Sequence, residues 1–310
     1  MQQKIVILGH LGMLGQELKR VFEKDPNYEV FAWDKDTLDV TNFTLLGERL
    51  SALRPDIVIN AVAYNAVDRC EESDEEYEEA LLLNRDVPRF LAEKSRELGF
   101  VLVHYSTDYV FDGTIENGNQ ESGGCQGGCC GGNCHGGEKG YAEDAVPNPI
   151  SRYGQSKLFG EQAVVENASR YYLIRLSKLF GHPAASPGAK KSFFETMLEV
   201  AKTKERVSAV NGEKSAFTYA PDLAQATKDI LSHEDVSGIY HLTNSGGATW
   251  YDGVRELYNQ AGISVEVEPI AEDDLPRPAK RPAFSVLKNT KRPPLRPYQE
   301  ALAEFLKTTL

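Results

Sequence analysis

The sequence lacks a long hydrophobic run. None of its 310 residues fall in a stretch approaching the ~20 apolar residues that span a bilayer, so no membrane partner is expected. It also lacks a basic excess: Lys and Arg number 34 against 46 Asp and Glu, for a formal charge of −12. Nucleic acids and anionic membranes demand a basic face, so neither is an expected partner. Room for a signal peptide is missing ahead of the first apolar strand at residue 4, and a cytoplasmic location is the matching expectation. Cysteine is scarce outside one segment, since four of the five lie between Cys125 and Cys134. In a reducing compartment these are thiols or metal ligands rather than disulfides. No internal repeat is visible. The length allows one large domain or two moderate ones with a proper core.

What the chain does have is concentrated at its start. Lys4 to Leu8 is a continuous apolar run suited to a strand covered on both faces, and Gly9, Gly12 and Gly15 follow at spacing three. Leu14, Leu18, Val21 and Phe22 then recur at helical spacing. Strand, glycine turn and helix is the arrangement that binds a dinucleotide. One glycine permits the tight turn, one admits the pyrophosphate, and one lets helix and strand pack closely. The helix N-terminus offers free N–H groups to the phosphates. The spacing is Gly-x-x-Gly-x-x-Gly, not the commoner Gly-x-Gly-x-x-Gly.

Further strands are expected at 28–34, 56–64 and 100–106. Asp34 ends the second of the four, about twenty residues past the glycine turn, where a carboxylate binds the adenosine ribose hydroxyls. Asp34 leans towards NADH, while Lys35 beside it suits the 2′-phosphate of NADPH. Asp39 can reach the adenine, or Thr41 is an N-cap. An acidic run from Glu71 to Glu79 reads as a solvated helix face. The next helix carries Asn84 and ends near Leu98, with Gly99 after it. The fourth strand leads into Thr107-Asp108, at the carboxyl edge where ligands of such sheets sit.

The segment 113–140 is glycine-rich and holds Cys125, Cys129, Cys130, Cys134 and His135. Its Cys-x3-Cys-Cys-x3-Cys spacing matches no zinc pattern with a mechanical rationale. A passive insertion without metal is expected, with zinc or iron binding as the alternative. Beyond it, Tyr153 and Lys157 open a helix running to about Glu166. Four apart, they share one helix face. A phenol titrates near ~10, and a neighbouring ammonium would lower that value and tune it as a proton donor.

The glycine turn, Ser106-Thr107-Asp108-Tyr109-Val110-Phe111-Asp112-Gly113 and Tyr153-x-x-x-Lys157 resemble the extended short-chain dehydrogenases/reductases. More narrowly, the chain resembles the dTDP-4-dehydrorhamnose reductase family. Asn60 to Asp68, Gly238 to Leu242, Thr249-Trp250 and Arg281-Pro282-x-x-Ser285-x-Leu287 agree with it. The resemblance spans nearly the whole chain except the cysteine-bearing insertion. It implies that Tyr153 is the proton donor, that Lys157 holds the nicotinamide ribose, and that Thr107 bonds the sugar carbonyl. It places Gly9, Gly12, Met13, Leu14, Asp34, Asp39, Val40, Ala61, Ala63 and Tyr64 at the cofactor, NADPH or NADH. It places Val67, Asp108 and Phe111 near the sugar. Lys178 stands where the family carries tryptophan, setting an ammonium near the ligand in place of a flat apolar face. Asn211 to Thr218 also departs from the family pattern.

The expected fold is α/β. A doubly wound parallel sheet of Rossmann type covers residues 1–180, and a smaller α/β substrate domain covers 181–310. A helix near 221–232 returns to the first domain. The second domain should hold a helix at about 191–204 and a strand at 207–210. Its basic tail (Arg277, Lys280, Arg281, Lys288, Lys291, Arg292, Arg296) would hold a nucleotide diphosphate or form a solvated loop. The expected activity is reduction of the 4-keto group of a nucleotide-linked deoxysugar. The rivals are another 4-ketosugar reductase or epimerase, a non-catalytic NAD(P)-binding regulatory subunit, and a metal or redox sensor. A homodimer is left open.

Overall fold

A computed structural model of the chain describes residues 2–115, 139–186 and 189–309. Its centre is a six-stranded parallel sheet. The strands are β1 (Gln3–Leu8), β2 (Tyr28–Trp33), β3 (Ile57–Asn60), β4 (Val101–Thr107), β5 (Tyr171–Leu176) and a last strand, Gly238–His241. Their spatial order is last strand, β5, β4, β3, β1, β2. The order reverses between β1 and β3, and at such a reversal a crevice opens beyond the strands' carboxyl ends.

The unbroken apolar run of β1 follows from burial on both faces. Ile5 and Ile7 pack with Leu14 and Leu18 of α1 (Met13–Glu23). Val6 and Leu8 pack on the opposite face with Leu46, Leu50 and Leu91. The helix Ala220–Ser232 sends Leu223, Ala224 and Ile230 into the same layer as α1. It carries the chain back to the sheet, and Gly238–His241 then adds the edge strand beside β5.

The remainder surrounds a separate aromatic cluster of Phe180, Phe194, Phe217, Tyr219 and Phe305. Three helices border it, Phe193–Val200, Trp250–Ala261 and Tyr298–Thr309, with a parallel pair of strands, Arg206–Val210 and Glu266–Ile270. Ser192 and Glu195 form a capping box that fixes where the first helix begins, and the N–H groups of Thr203 and Lys204 both turn back to the Val200 carbonyl, so the helix is shorter than the expected 191–204.

Three other boundaries differ from the sequence reading. The third strand stops at Asn60, because the main chain of Tyr64 pairs with the Asn84 side chain instead of a strand. The helix 43–53 is capped by Asn42, whose side chain accepts from Leu45 N–H, and not by Thr41. Asn84 itself lies in a wide turn, Leu82–Asp86, that precedes the helix Val87–Leu98. Gly99 does end that helix in the left-handed region, at φ 83°. The segment with Cys125, Cys129, Cys130, Cys134 and His135 lies outside the described residues.

Candidate active site

At the β1 end of the crevice the three glycines take three separate parts. Gly9 turns the chain at φ 79°. Gly12 is the N-cap of α1 and has no side chain to cover the helix start. A Cβ on Gly15 would lie 2.0 Å from the Gly9 carbonyl oxygen, so only glycine lets α1 come this near to β1. The first-turn N–H groups of Met13 and Leu14 have no partner within the helix, while the Leu14 side chain is buried beneath it. This cradle fits a dinucleotide phosphate.

Asp34 stands beside the cradle, but its carboxylate is partly engaged. Leu11 N–H donates to it at 2.9 Å and Lys35 N–H at 2.8 Å. Asp39 accepts from the Thr41 N–H and hydroxyl, which hold its carboxyl below the usual range. Val40 is buried, Ala61 half-buried and Ala63 exposed. Tyr64 is buried, and its hydroxyl donates to Glu76.

The chemistry-bearing side chains meet at the end of β4. Its seven residues deliver Thr107 to the carboxyl edge of the sheet, and the helix Arg152–Asn167 crosses above. Ser151 caps that helix through Gly154 N–H, which fixes where Tyr153 and Lys157 emerge. A Cβ on Gly154 would sit 2.3 Å from the Tyr109 carbonyl oxygen, so the helix start is pressed against the turn after Thr107. Lys157 is buried and donates to the Tyr105 carbonyl at 2.6 Å. Burial pushes its ammonium down to about 8, against the pull of Glu161 one turn further on.

The Tyr153 phenol differs from the sequence expectation. Burial pushes it well above its ordinary value, with the Asp108 charge adding to the rise and the Thr107 hydroxyl acting the other way. Desolvation outweighs any help from Lys157, whose ammonium is anchored on Tyr105. The phenol is therefore protonated at neutral pH, as a proton donor must be. Asn84, which sequence reasoning noted without a role, links the two ends of the site. Fully buried, it holds both main-chain groups of Tyr64 and donates to the Ser156 hydroxyl, one residue before Lys157.

The sugar side departs most from expectation. Val67 is half-buried on the loop after β3. Phe111 has no exposed surface; its ring stacks on Tyr141 at 4.1 Å and carries the Arg175 guanidinium on a face. Asp108 is 2% exposed and accepts from the hydroxyls of Ser285 (2.6 Å), Ser177 (2.8 Å) and Thr107 (3.2 Å). Burial still holds its carboxyl above the usual range. Neither side chain presents a surface to a sugar.

Lys178 is likewise occupied. Its ammonium donates to the carbonyls of Ala248 (2.9 Å) and Glu213 (3.2 Å) and sits 4.4 Å from the Trp250 ring centre. Its backbone is strained into the left-handed region, at φ 37°. Burial pushes it down to about 8, with Asp108, Glu213 and Asp252 opposing. Lys178 braces three segments rather than reaching freely for a ligand.

The basic tail is mostly neutralised. Arg277 pairs with Glu213, Arg281 with Asp68, Arg292 with Asp235, and Arg296 with Asp222 and Glu304. These partners lie 57 or more positions away, except Glu304. No local pattern in the sequence could have revealed them. Among the described residues, no group of His, Cys, Asp and Glu is arranged to hold a metal.

A doubly wound sheet with a glycine cradle at its reversal point and a Thr–Tyr–Lys group beside it defines an extended short-chain dehydrogenase/reductase. The chain belongs to the RmlD family: the family model described as "RmlD substrate binding domain" matches residues 3–310. A probable dTDP-4,6-dihydroxy-2-methyloxan-3-one 4-ketoreductase of Streptomyces antibioticus is 35% identical over 306 residues, 96% of this chain and 93% of its own length. A dTDP-4-dehydrorhamnose reductase of Clostridium acetobutylicum, known from its crystal structure, is 32% identical. It superposes with a TM-score of 0.85 over 99% of each chain. The Bacillus anthracis dTDP-4-dehydrorhamnose reductase, solved in complex with NADP, is 29% identical, with a TM-score of 0.84 over 99% of this chain and 100% of that one. No helix among the described residues is long and apolar enough to cross a membrane.

Proposed function

We propose that this chain is an NAD(P)H-dependent reductase of the 4-keto group of a nucleotide-linked deoxysugar, with dTDP-4-dehydro-L-rhamnose as substrate and dTDP-L-rhamnose as product. The observation that carries this reading is the placement of half-buried Tyr153 with buried Lys157 on one helix, beside buried Thr107 at the end of β4 and of the crevice that starts at the glycine cradle. The bound dinucleotide would supply a hydride to the sugar C4. Gly9, Gly12, Met13 and Leu14 would hold its pyrophosphate, and Asp34 with Lys35 its adenosine ribose. Asp39, Val40, Ala61, Ala63 and Tyr64 would line its path.

Tyr153 gives its hydroxyl proton to the oxygen that becomes the alcohol. Thr107 would turn its single O–H from Asp108 to the sugar carbonyl, the role that the family resemblance gives it. Lys157, fixed by the Tyr105 carbonyl, keeps two N–H donors for a ribose hydroxyl and the phenolate side. Burial of Thr107 and Lys157 limits water around the reacting oxygen, which strengthens these contacts. In this reading residues 1–180 bind the dinucleotide and 181–310 shape the sugar end.

A second reading, reduction of a different dTDP-4-ketosugar, is favoured by the different sugar named for the Streptomyces relative. The test is a panel of dTDP-, GDP- and UDP-linked 4-ketosugars assayed for oxidation of NADH and NADPH. Turnover confined to dTDP-4-dehydrorhamnose supports the first reading. Turnover of another 4-ketosugar supports the second, and binding of dinucleotide without turnover of any sugar overturns both.

A further inference from the structure

Arg281-Pro282-x-x-Ser285-x-Leu287 belongs to neither the cradle nor the Thr–Tyr–Lys group. In the structure this motif is a strap, residues 279–288, laid across the carboxyl edge of the sheet. It has little regular structure, yet its main chain is bonded to both halves of the molecule. Lys214 N–H donates to the Ala283 carbonyl (2.9 Å), and Ser285 N–H returns to the Lys214 carbonyl (2.8 Å). Tyr141 N–H donates to the Val286 carbonyl (2.8 Å), and Lys288 N–H to the Tyr141 carbonyl (2.7 Å). The fit against Gly113 is tight: a Cβ there would lie 2.9 Å from Ala283 N.

Two of the strap's polar side chains, Arg281 and Ser285, each end on a carboxylate. Arg281 makes a two-pronged contact with Asp68, at 2.6 and 2.7 Å, and Ala279 N–H adds a third bond to the same group at 3.2 Å. Asp68 directly follows Val67, on the loop that leaves β3. Ser285 gives its hydroxyl to Asp108 at 2.6 Å, and Asp108 directly follows Thr107 at the end of β4. The strap thus holds the loops after two adjacent strands, on either side of the place where the sugar must enter. Tyr109 stands within electrostatic reach of Arg281 and packs edge-on against the Tyr153 ring at 5.9 Å. A planar guanidinium clamped on a carboxylate is a rigid element, and a hydroxyl bonded to a buried carboxylate is costly to lose.

We infer that Arg281 and Ser285 are positioning residues for the sugar. By fixing Asp68 and Asp108 they set the spacing between the Val67 loop and Thr107, and with it the affinity for the nucleotide sugar but not for the dinucleotide. This rests on the reductase reading above, and the experiment separates the two. Arg281→Ala and Ser285→Ala are compared with the native protein in three measurements: NADPH binding by fluorescence titration, dTDP-L-rhamnose binding by calorimetry, and steady-state reduction of dTDP-4-dehydrorhamnose.

The expected result for Arg281→Ala is a sugar KM and dTDP-L-rhamnose Kd raised about tenfold or more, the range of a lost hydrogen bond to a charged group. NADPH affinity should stay within about twofold and kcat within about threefold. Ser285→Ala should move the same constants in the same direction by a smaller factor. Sugar constants within twofold of native in either variant overturn the proposal, as does an equal loss of sugar and NADPH affinity in Ser285→Ala. Should Arg281→Ala fail to bind NADPH at all, Ser285→Ala decides alone. If the native protein reduces no ketosugar yet binds dTDP-L-rhamnose, the reductase reading falls and the binding constants judge the strap. If it binds no dTDP-sugar, the strap proposal falls.

Discussion

The cofactor end and the sugar end of the crevice are built from different material. The cofactor end is main chain: three glycines and a helix start. Its one prominent side chain, Asp34, itself braces the glycine turn through Leu11 N–H. The sugar end is a set of side-chain contacts between distant segments, Asp68 with Arg281, Asp108 with Ser177 and Ser285, and Lys178 with residues 213 and 248. Main-chain recognition depends on steric room and on fixed N–H dipoles that do not titrate. Side-chain recognition depends on ionisation and fails when one member of a pair is lost. One end is therefore the more general in what it binds, and the other the more easily retuned.

The largest expected effect lies where the two ends meet. Tyr153→Phe should lower kcat by roughly 10²–10⁴-fold, the usual worth of a positioned proton transfer, with NADPH affinity unchanged in fluorescence titration. Retention of half the native activity would remove Tyr153 as the acid. Gly15→Ala tests the main-chain end. Its Cβ would meet the Gly9 carbonyl oxygen at 2.0 Å, so α1 must shift, at a cost of about 1–3 kcal/mol by the usual scale of overpacking. Urea unfolding should show that loss, and NADPH binding should weaken more than dTDP-L-rhamnose binding. Equal weakening of both would mean that the two ends are not separable.

Asp34→Ala should weaken NADH more than NADPH, because the lost carboxylate serves the ribose hydroxyls. Its bond to Leu11 N–H adds a smaller, shared loss for both dinucleotides. Equal losses in the two titrations would leave Asp34 as a brace of the turn alone.

The smallest effect concerns charge. His241 is buried, with Arg175 Nη1 at 3.3 Å from its Nε2. Burial first, then the Arg175 charge, push its imidazole down to about 4. The unfolded chain therefore takes up a proton on this residue at a higher pH than the folded one. Stability should fall as pH drops from about 6.5 towards 5, by up to ~2 kcal/mol at 1.36 kcal/mol per unit. His241→Gln should flatten that part of the stability–pH curve measured by urea unfolding. An unchanged slope would assign the dependence to other groups.

How much of this could be read in advance follows the same division. Gly9, Gly12 and Gly15 were legible because a turn and a close approach impose a local spacing. Thr107, Tyr153 and Lys157 were legible because a strand end and one helical turn fix them. Phe111 and Asp108 were misplaced because their surroundings, Tyr141 and Ser285, lie 30 and 177 positions away. Lys178 was read as a ligand-facing cation because nothing local announced the carbonyls of Glu213 and Ala248. The downward shift expected for Tyr153 weighed one neighbouring charge and omitted desolvation, which only the packed structure reveals.

The path of residues 220–241 has a practical consequence. The chain leaves the sheet after β5, begins a second core, and then returns to lay a helix beside α1 and an edge strand beside β5 before leaving again to complete that core. A fragment cut near residue 181 would thus have a bare flank: Leu14 and Leu18 without the cover of Leu223 and Ala224, and β5 with an open row of backbone donors and acceptors. Open strand edges of this kind recruit other chains. Such a fragment should precipitate when expressed alone and dissolve when a piece beginning before residue 220 is supplied beside it. The molecule behaves as a braid, whose strands cannot be separated without loosening both ends.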